Sequence, residues 1–243
     1  NAKLFERIKT LHKNRETLGL DAQGVRLIER YYTDFMRSGA NLTDAQKTRV
    51  KAINSELATL STQFSQNVLA EVNDSAIIVS DRAELAGLSD EQIAGFAESA
   101  KEKNMPGKYR IALVNTTIQP ILPQLDNRAL RERIHKASVA RGARGNAWDN
   151  RAIVSKVTKL RAERAAIMGY PSYAAFSMAE ETAKNPEAVN AMLEKMAPPA
   201  VANARKEGAV LQAMIDSEQK AKGEKTFALE PWDWSYYTEK VRK

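Results

Sequence analysis

A chain of 243 residues with 43% hydrophobic side chains is long enough to bury a sizeable core, as one large domain or two small ones. No stretch approaches the roughly 20 apolar residues that cross a bilayer, and the opening Asn1-Ala2-Lys3-Leu4-Phe5-Glu6 carries no signal-peptide pattern, so no membrane partner is expected. The absence of cysteine excludes a disulfide framework and thiolate metal sites. A helical protein of this size needs neither in cytosol or periplasm, so the cytoplasm is the expected compartment and the periplasm is compatible.

Most of the chain has helical period. Lys3 to Leu18 places Leu4, Ile8 and Leu11 on one face, and Ala22 to Arg37 does the same with Val25, Ile28, Tyr32 and Phe35. With Gly19-Leu20-Asp21 between them, the two predict a helical hairpin. Thr43 and Gln46 have capping-box spacing, and Val50, Ile53, Leu57, Leu60, Phe64 and Val68 then recur at three- and four-residue steps. One helix over 43–72, about 45 Å long at about 1.5 Å per residue, is predicted.

The period then changes to that of strands at Ser75 to Ser80 and at Tyr109 to Asn115, two β-branched runs that can pair. Between them Ser89 and Gln92 set a second capping box ahead of a helix that carries Ile93, Phe96 and Ala100. Helical period resumes from Pro123 through Leu130 and Ile134, breaks at Arg141 to Asn146, and resumes from about Asp149 to Met168. Ser172 to Ala183 reads as a short helix. Pro186 then opens a long stretch to Lys222 that Pro198-Pro199 is expected to kink or interrupt. In the tail, Phe227 to Tyr237 reads as an aromatic anchor with Asp233 as helix N-cap, or else as a peptide-binding wall.

The net charge of +7 is concentrated. From Asp126 to Arg164 there are eleven cations (Arg128, Arg131, Arg133, Lys136, Arg141, Arg144, Arg151, Lys156, Lys159, Arg161 and Arg164) against four acids, an excess equal to that of the whole chain. Such a cluster is compatible with phosphate binding by a non-enzymatic helical module for nucleic acid or a protein partner, using 128–164. It contains only one aromatic residue, Trp148, and its charges fall on several helical faces, so a solvated helix pair offset by acidic neighbours in the missing portion is the preferred reading.

Three separated runs point further: Leu113-Val114-Asn115-Thr116-Thr117-Ile118-Gln119-Pro120, Met168-Gly169-Tyr170-Pro171-Ser172-Tyr173-Ala174-Ala175-Phe176, and Pro231-Trp232-Asp233-Trp234 leading into Tyr236-Tyr237. With Leu4 to Lys9 and Met178 to Ala183, in the same order, they resemble the bacterial peptidyl-dipeptidases, or dipeptidyl carboxypeptidases, of the thimet oligopeptidase family of zinc metallopeptidases. The resemblance implies a mainly α fold with long antiparallel helices and a small two-stranded β element, forming one wall of a channel-type peptidase. It further implies zinc held by two histidines and a glutamate, and release of C-terminal dipeptides from short peptides.

Such chemistry requires a helical H-E-x-x-H, and this chain has none; its histidines, His12 and His135, are isolated and read as surface or cap residues. Thr226 and Ser235 lack a partnered base. No catalytic residue and no metal ligand is therefore assigned in this chain, and its substrate-binding residues stay unassigned. Both ends read as cut, so residues 1–243 are expected to be the N-terminal-side helical portion of a larger peptidase, with a possible sub-division into 1–121 and 122–243. Zinc is expected in the parent enzyme and not on this chain. The expected partners are short peptides and the remaining catalytic domain. The four tail rings, Trp232, Trp234, Tyr236 and Tyr237, are expected to be partly exposed.

Overall fold

A computed structural model of the chain describes residues 2–114 and 119–242. The described residues form α1 (Ala2–Asn14), α2 (Ala22–Arg37), α3 (Asp44–Asp74), β1 (Ile77–Val79), α4 (Asp90–Lys101), β2 (Tyr109–Ile111), α5 (Arg128–Val139), α6 (Arg151–Ile167), α7 (Tyr173–Met178), α8 (Pro186–Lys222) and α9 (Pro231–Arg242). The fold is mainly α, as the hydrophobic period requires. Two compact units divide it, one of Asn1–Ser61 with Val154–Val189 and the other of Thr62–Ile153 with Asn190–Lys243. This differs from a cut between 121 and 122, because α3, α6 and α8 each carry the chain from one unit into the other.

In the first unit, α1 and α2 pack as the expected hairpin. Asp21 starts α2 by accepting from the Gly24 N–H at 2.7 Å, and Phe5 stacks on Tyr32 and Phe35 at 6.2 and 5.8 Å. Phe5 is buried, which stabilises the pair by about 1.5–3 kcal/mol. Thr43 and Gln46 close the capping box of α3: Gln46 N–H donates to Thr43 Oγ1, and Thr43 N–H donates to Gln46 Oε1. Along α3 and α6, Arg49 meets Glu163 and Glu56 meets Lys156, a register that runs the two segments antiparallel.

The run Met168 to Phe176 serves this unit as a clamp. Ser172 caps α7 by accepting from Ala175 N–H, and the Arg37 guanidinium lies 4.3 Å over the Phe176 ring while donating to the Phe176 carbonyl at 2.9 Å. Arg164 approaches the same ring at 5.7 Å, and Arg161 lies 5.0 Å from Tyr173. The helix expected over 172–183 is shorter, ending at Met178, and Lys184 then takes a positive φ ahead of α8.

In the second unit, β1 and β2 pair antiparallel with Ile77 opposite Ile111. α4 packs on β2 and α5 on β1. The core gathers Val79, Leu85, Ile111, Leu113, Leu125, Leu130 and Ile134. α5 begins at Arg128, later than Pro123, because Asn127 caps it by accepting from Leu130 N–H at 3.0 Å. Gly87, with φ +91°, is required there: a Cβ would lie 2.0 Å from the Gln124 carbonyl oxygen.

α8 is assigned as one helix from Pro186 to Lys222 with Pro198 and Pro199 inside it, so of the two expected outcomes, a kink or an interruption, the interruption does not occur. The two prolines remove the donors for the carbonyls of Glu194 and Lys195, at about 3 kcal/mol each in a helix interior. Both residues are exposed, so water can satisfy those carbonyls. No helix among the described residues is long and apolar enough to cross a membrane.

Candidate functional site

The aromatic tail lies in the second unit. Pro231 occupies the first turn of α9, where its missing N–H costs nothing. Asp233 therefore stands two residues inside the helix and is not its N-cap as expected. It accepts from the Glu230 N–H at 3.2 Å, the back-bond of a capping box, and is fully buried.

Its carboxylate is held by two arginines of α5. Arg128 donates from Nε to both oxygens at 3.1 Å and from Nη2 at 2.8 Å, and Arg131 donates from Nη2 at 2.9 Å. Arg131 is itself buried, and its Nη1 donates to the Leu125 and Asp126 carbonyls at 2.8 and 3.0 Å. Its guanidinium lies 4.0 Å from the Tyr236 ring, while Arg128 lies 4.1 Å from Phe227. Both cations were read in the sequence as part of a solvated basic face. The sequence signal for the contrary was the placement of Arg131 between Leu130 and Ile134 on the apolar side of α5, opposite a lone acid in an aromatic tail.

Around this centre the rings close in. Tyr236 donates to Asp126 at 2.7 Å; burial first and that hydrogen bond second push its phenol above the ordinary value. Tyr237 is pushed up to about 12, by burial and then by the Glu218 carboxylate. Trp234 packs on Gly208 of α8, whose added Cβ would sit 3.4 Å from the ring. Tyr236 and Tyr237 are buried and Trp232 and Trp234 half-buried, so the two tyrosines correct the expectation of exposed rings: α5 and α8 of this same chain cover them. Both phenols are thus held in their protonated form at neutral pH. The arrangement fastens α9 to α5 and α8, and holds no nucleophile or base.

The remaining candidates give the same answer. His12 stacks on Tyr32 at 3.9 Å and His135 stands 6.1 Å from Trp232, each half-buried against a ring. Thr226 donates to Asp216, which that bond and a second from Gln212 hold below the usual carboxylate range, making it a poor base. No group of three or more His, Asp or Glu among the described residues could hold a metal ion, so the residues present do not fit a catalytic zinc. The run Leu113 to Pro120 lies partly outside the described residues; Leu113 is buried and its carbonyl accepts from Arg141, while buried Gln119 donates to Ser138.

The basic stretch is partly paired from within the chain, whose net charge stays +7. Arg128 and Arg131 meet Asp233, Arg133 meets Glu84, Lys136 meets Glu132, Arg144 meets Glu71, Arg151 meets Asp149 and Lys156 meets Glu56, seven of the eleven cations. Acids that offset part of the cluster, Asp233, Glu84, Glu71 and Glu56, thus lie elsewhere in these 243 residues.

Comparison with known proteins adds what the geometry lacks. The chain is 40% identical over all 243 residues to dipeptidyl carboxypeptidase of Escherichia coli and 38% identical to that of Salmonella typhimurium, spanning 35% of the length of each. It is 33% identical over 223 residues to oligopeptidase A of Haemophilus influenzae, covering 89% of this chain and 31% of that protein. Residues 121–243, just over half the chain and the part that holds the Arg128–Arg131–Asp233 centre, match the model of Peptidase family M3. The chain belongs to Peptidase family M3.

Proposed function

We propose that these residues are the N-terminal-side helical portion of a zinc-dependent peptidyl-dipeptidase that releases C-terminal dipeptides from oligopeptides, and that they supply part of the wall of its substrate channel. The observation that carries this reading is 40% identity over all 243 residues to a dipeptidyl carboxypeptidase. The zinc ligands and the groups that act on the scissile bond belong to sequence outside this region, since no group of His, Asp or Glu among the described residues fits a metal. What these residues contribute is shape: within each unit, helices held by ion pairs and aromatic clamps, as part of a boundary that admits short unfolded peptides. The remaining catalytic domain is the partner, and the cytoplasm is the proposed compartment.

Exchange of the matched region tests this. The 243 residues are grafted in place of their counterpart in the E. coli dipeptidyl carboxypeptidase, and products from a blocked oligopeptide are identified by mass. Release of C-terminal dipeptides is expected. A folded graft that releases single amino acids, or nothing, would remove the assignment.

A further inference from the structure

The segment that joins α8 to α9 is held along one edge and open along the other. Gly223, with φ +70°, turns the chain out of α8, and residues 224–230 then run back beside that helix with no helix or turn of their own. Glu224 N–H donates to the Gln219 carbonyl at 2.9 Å, and Thr226 Oγ1 donates to Asp216. Gln212 makes the next two bonds: its Oε1 accepts from Leu229 N–H at 2.7 Å, and its Nε2 donates to the Phe227 carbonyl at 2.9 Å. Gln219, Asp216 and Gln212 are met in that order, so the segment is antiparallel to α8. At its end Glu230 N–H donates to Asp233.

A side-chain amide that bridges one residue's C=O and the N–H two residues on takes the place of a neighbouring strand. It fixes 227–229 as extended, with Phe227 and Leu229 packed on the cluster of Leu211, Ile215, Tyr236 and Tyr237. Successive residues of an extended chain direct N–H and C=O to opposite edges. The main-chain groups of Thr226 and Ala228 therefore face away from Gln212. Both residues are exposed, and the Ala228 N–H and C=O meet no partner among the described residues.

We propose that this outer edge, centred on the Ala228 N–H and C=O, binds the main chain of an extended oligopeptide. The source of the peptide rests on the peptidase reading above; the edge gives it a place to bind. An unpaired strand edge is a template for a second extended chain. Here the edge is set in advance by its bonds to α8, so pairing does not have to order it. It spans only 226–228, enough for two or three hydrogen bonds, which suits a short peptide that binds weakly and leaves. Main-chain pairing also makes no demand on the peptide's side chains.

Amide NMR of the 243-residue chain, titrated with a blocked alanine oligopeptide, tests this. The Ala228 amide should shift with a dissociation constant on the order of 1–10 mM. The same peptide N-methylated at alternate residues should bind at least about fivefold more weakly, as should Ala228→Pro, which removes the outward N–H and leaves both Gln212 bonds in place. Ala228→Val keeps the N–H and should bind as the parent does. An unmoved Ala228 amide, or equal binding of the methylated peptide, would overturn the proposal; the second comparison uses the unsubstituted chain and holds even where Ala228→Pro misfolds. Hydrogen exchange on the graft in the E. coli dipeptidyl carboxypeptidase adds one more outcome: 226–229 already slow before peptide is added would show that the host covers the edge, and would also overturn it. In that graft Ala228→Pro should raise KM for dipeptide release about fivefold. Release at an unchanged KM would strike the binding edge and leave the peptidase reading standing, whereas a folded, unsubstituted graft without release would strike that reading instead.

Discussion

Removing the Asp233 carboxylate should cost more than any other single change of charge in the second unit. Asp233→Ala leaves Arg131, 2% exposed at its side chain, with two backbone carbonyls and the Tyr236 ring but no counter-ion. Breaking a buried pair by deleting one partner costs about 3–5 kcal/mol. The two carbonyls and the ring keep the value at the lower end, and Arg128, 34% exposed, recovers solvation and adds about 0–1 kcal/mol. The expected loss is about 3 kcal/mol, a large fraction of the about 5–15 kcal/mol that holds a domain together. Urea unfolding followed by tryptophan emission reads it, because Trp148, Trp232 and Trp234 all lie in the second unit. The control is Arg131→Met with Asp233→Leu, which removes both buried charges and should be far less destabilised than the single variant. A loss under about 1 kcal/mol for Asp233→Ala, or strict additivity in the double variant, would refute the claim that this ion cluster fastens α9.

Gly87→Ala should destabilise by several kcal/mol, on the order of a strained backbone plus a displaced neighbour, because its Cβ meets the Gln124 carbonyl at 2.0 Å; a melting temperature within a degree of the parent's would contradict this. The pH dependence has two limbs. Tyr237 is raised in the folded state, so its contribution is complete below the ordinary phenol value of 10.0 and is lost as pH climbs toward about 12, visible as a delayed phenolate absorbance. Glu163 is held low by the hydrogen bond from Arg49, so its contribution is present above the ordinary value of 4.5 and lost as pH falls through the folded one; Arg49→Gln should flatten that acid limb. Binding to duplex or single-stranded nucleic acid should be weak and vanish by physiological salt, because the seven internal ion pairs leave few free cations; sequence-selective retention at that salt would restore the binding-module reading.

What could be read from the sequence was whatever local chemistry decides. The hairpin of α1 and α2 and both capping boxes follow from period and from side chains three residues apart and formed where those signals stood, and the two strands formed inside the expected runs but shorter, at Ile77–Val79 and Tyr109–Ile111. What could not be read depends on partners distant in sequence. Arg131 looks like one more cation until Asp233, 102 residues away, is brought against it, and Asp233 looks like an N-cap until Pro231 takes the first helical position. Tyr236 was placed at a raw edge, yet α5 and Asp126 receive it. The prolines of α8 do not end it: a strong local rule against helix gives way along a continuous 37-residue element. The family was legible in runs now seen to be structural, one clamped by Arg37 and one by Arg128 and Arg131.

The most direct test of the account is an assay of the 243-residue chain by itself with zinc and a blocked oligopeptide, scored for released dipeptide. No release above buffer is expected, since no set of described side chains can hold a catalytic metal with an open position. Zinc-dependent release that disappears on changing His12 or His135 to alanine would place the chemistry in this chain and contradict the account.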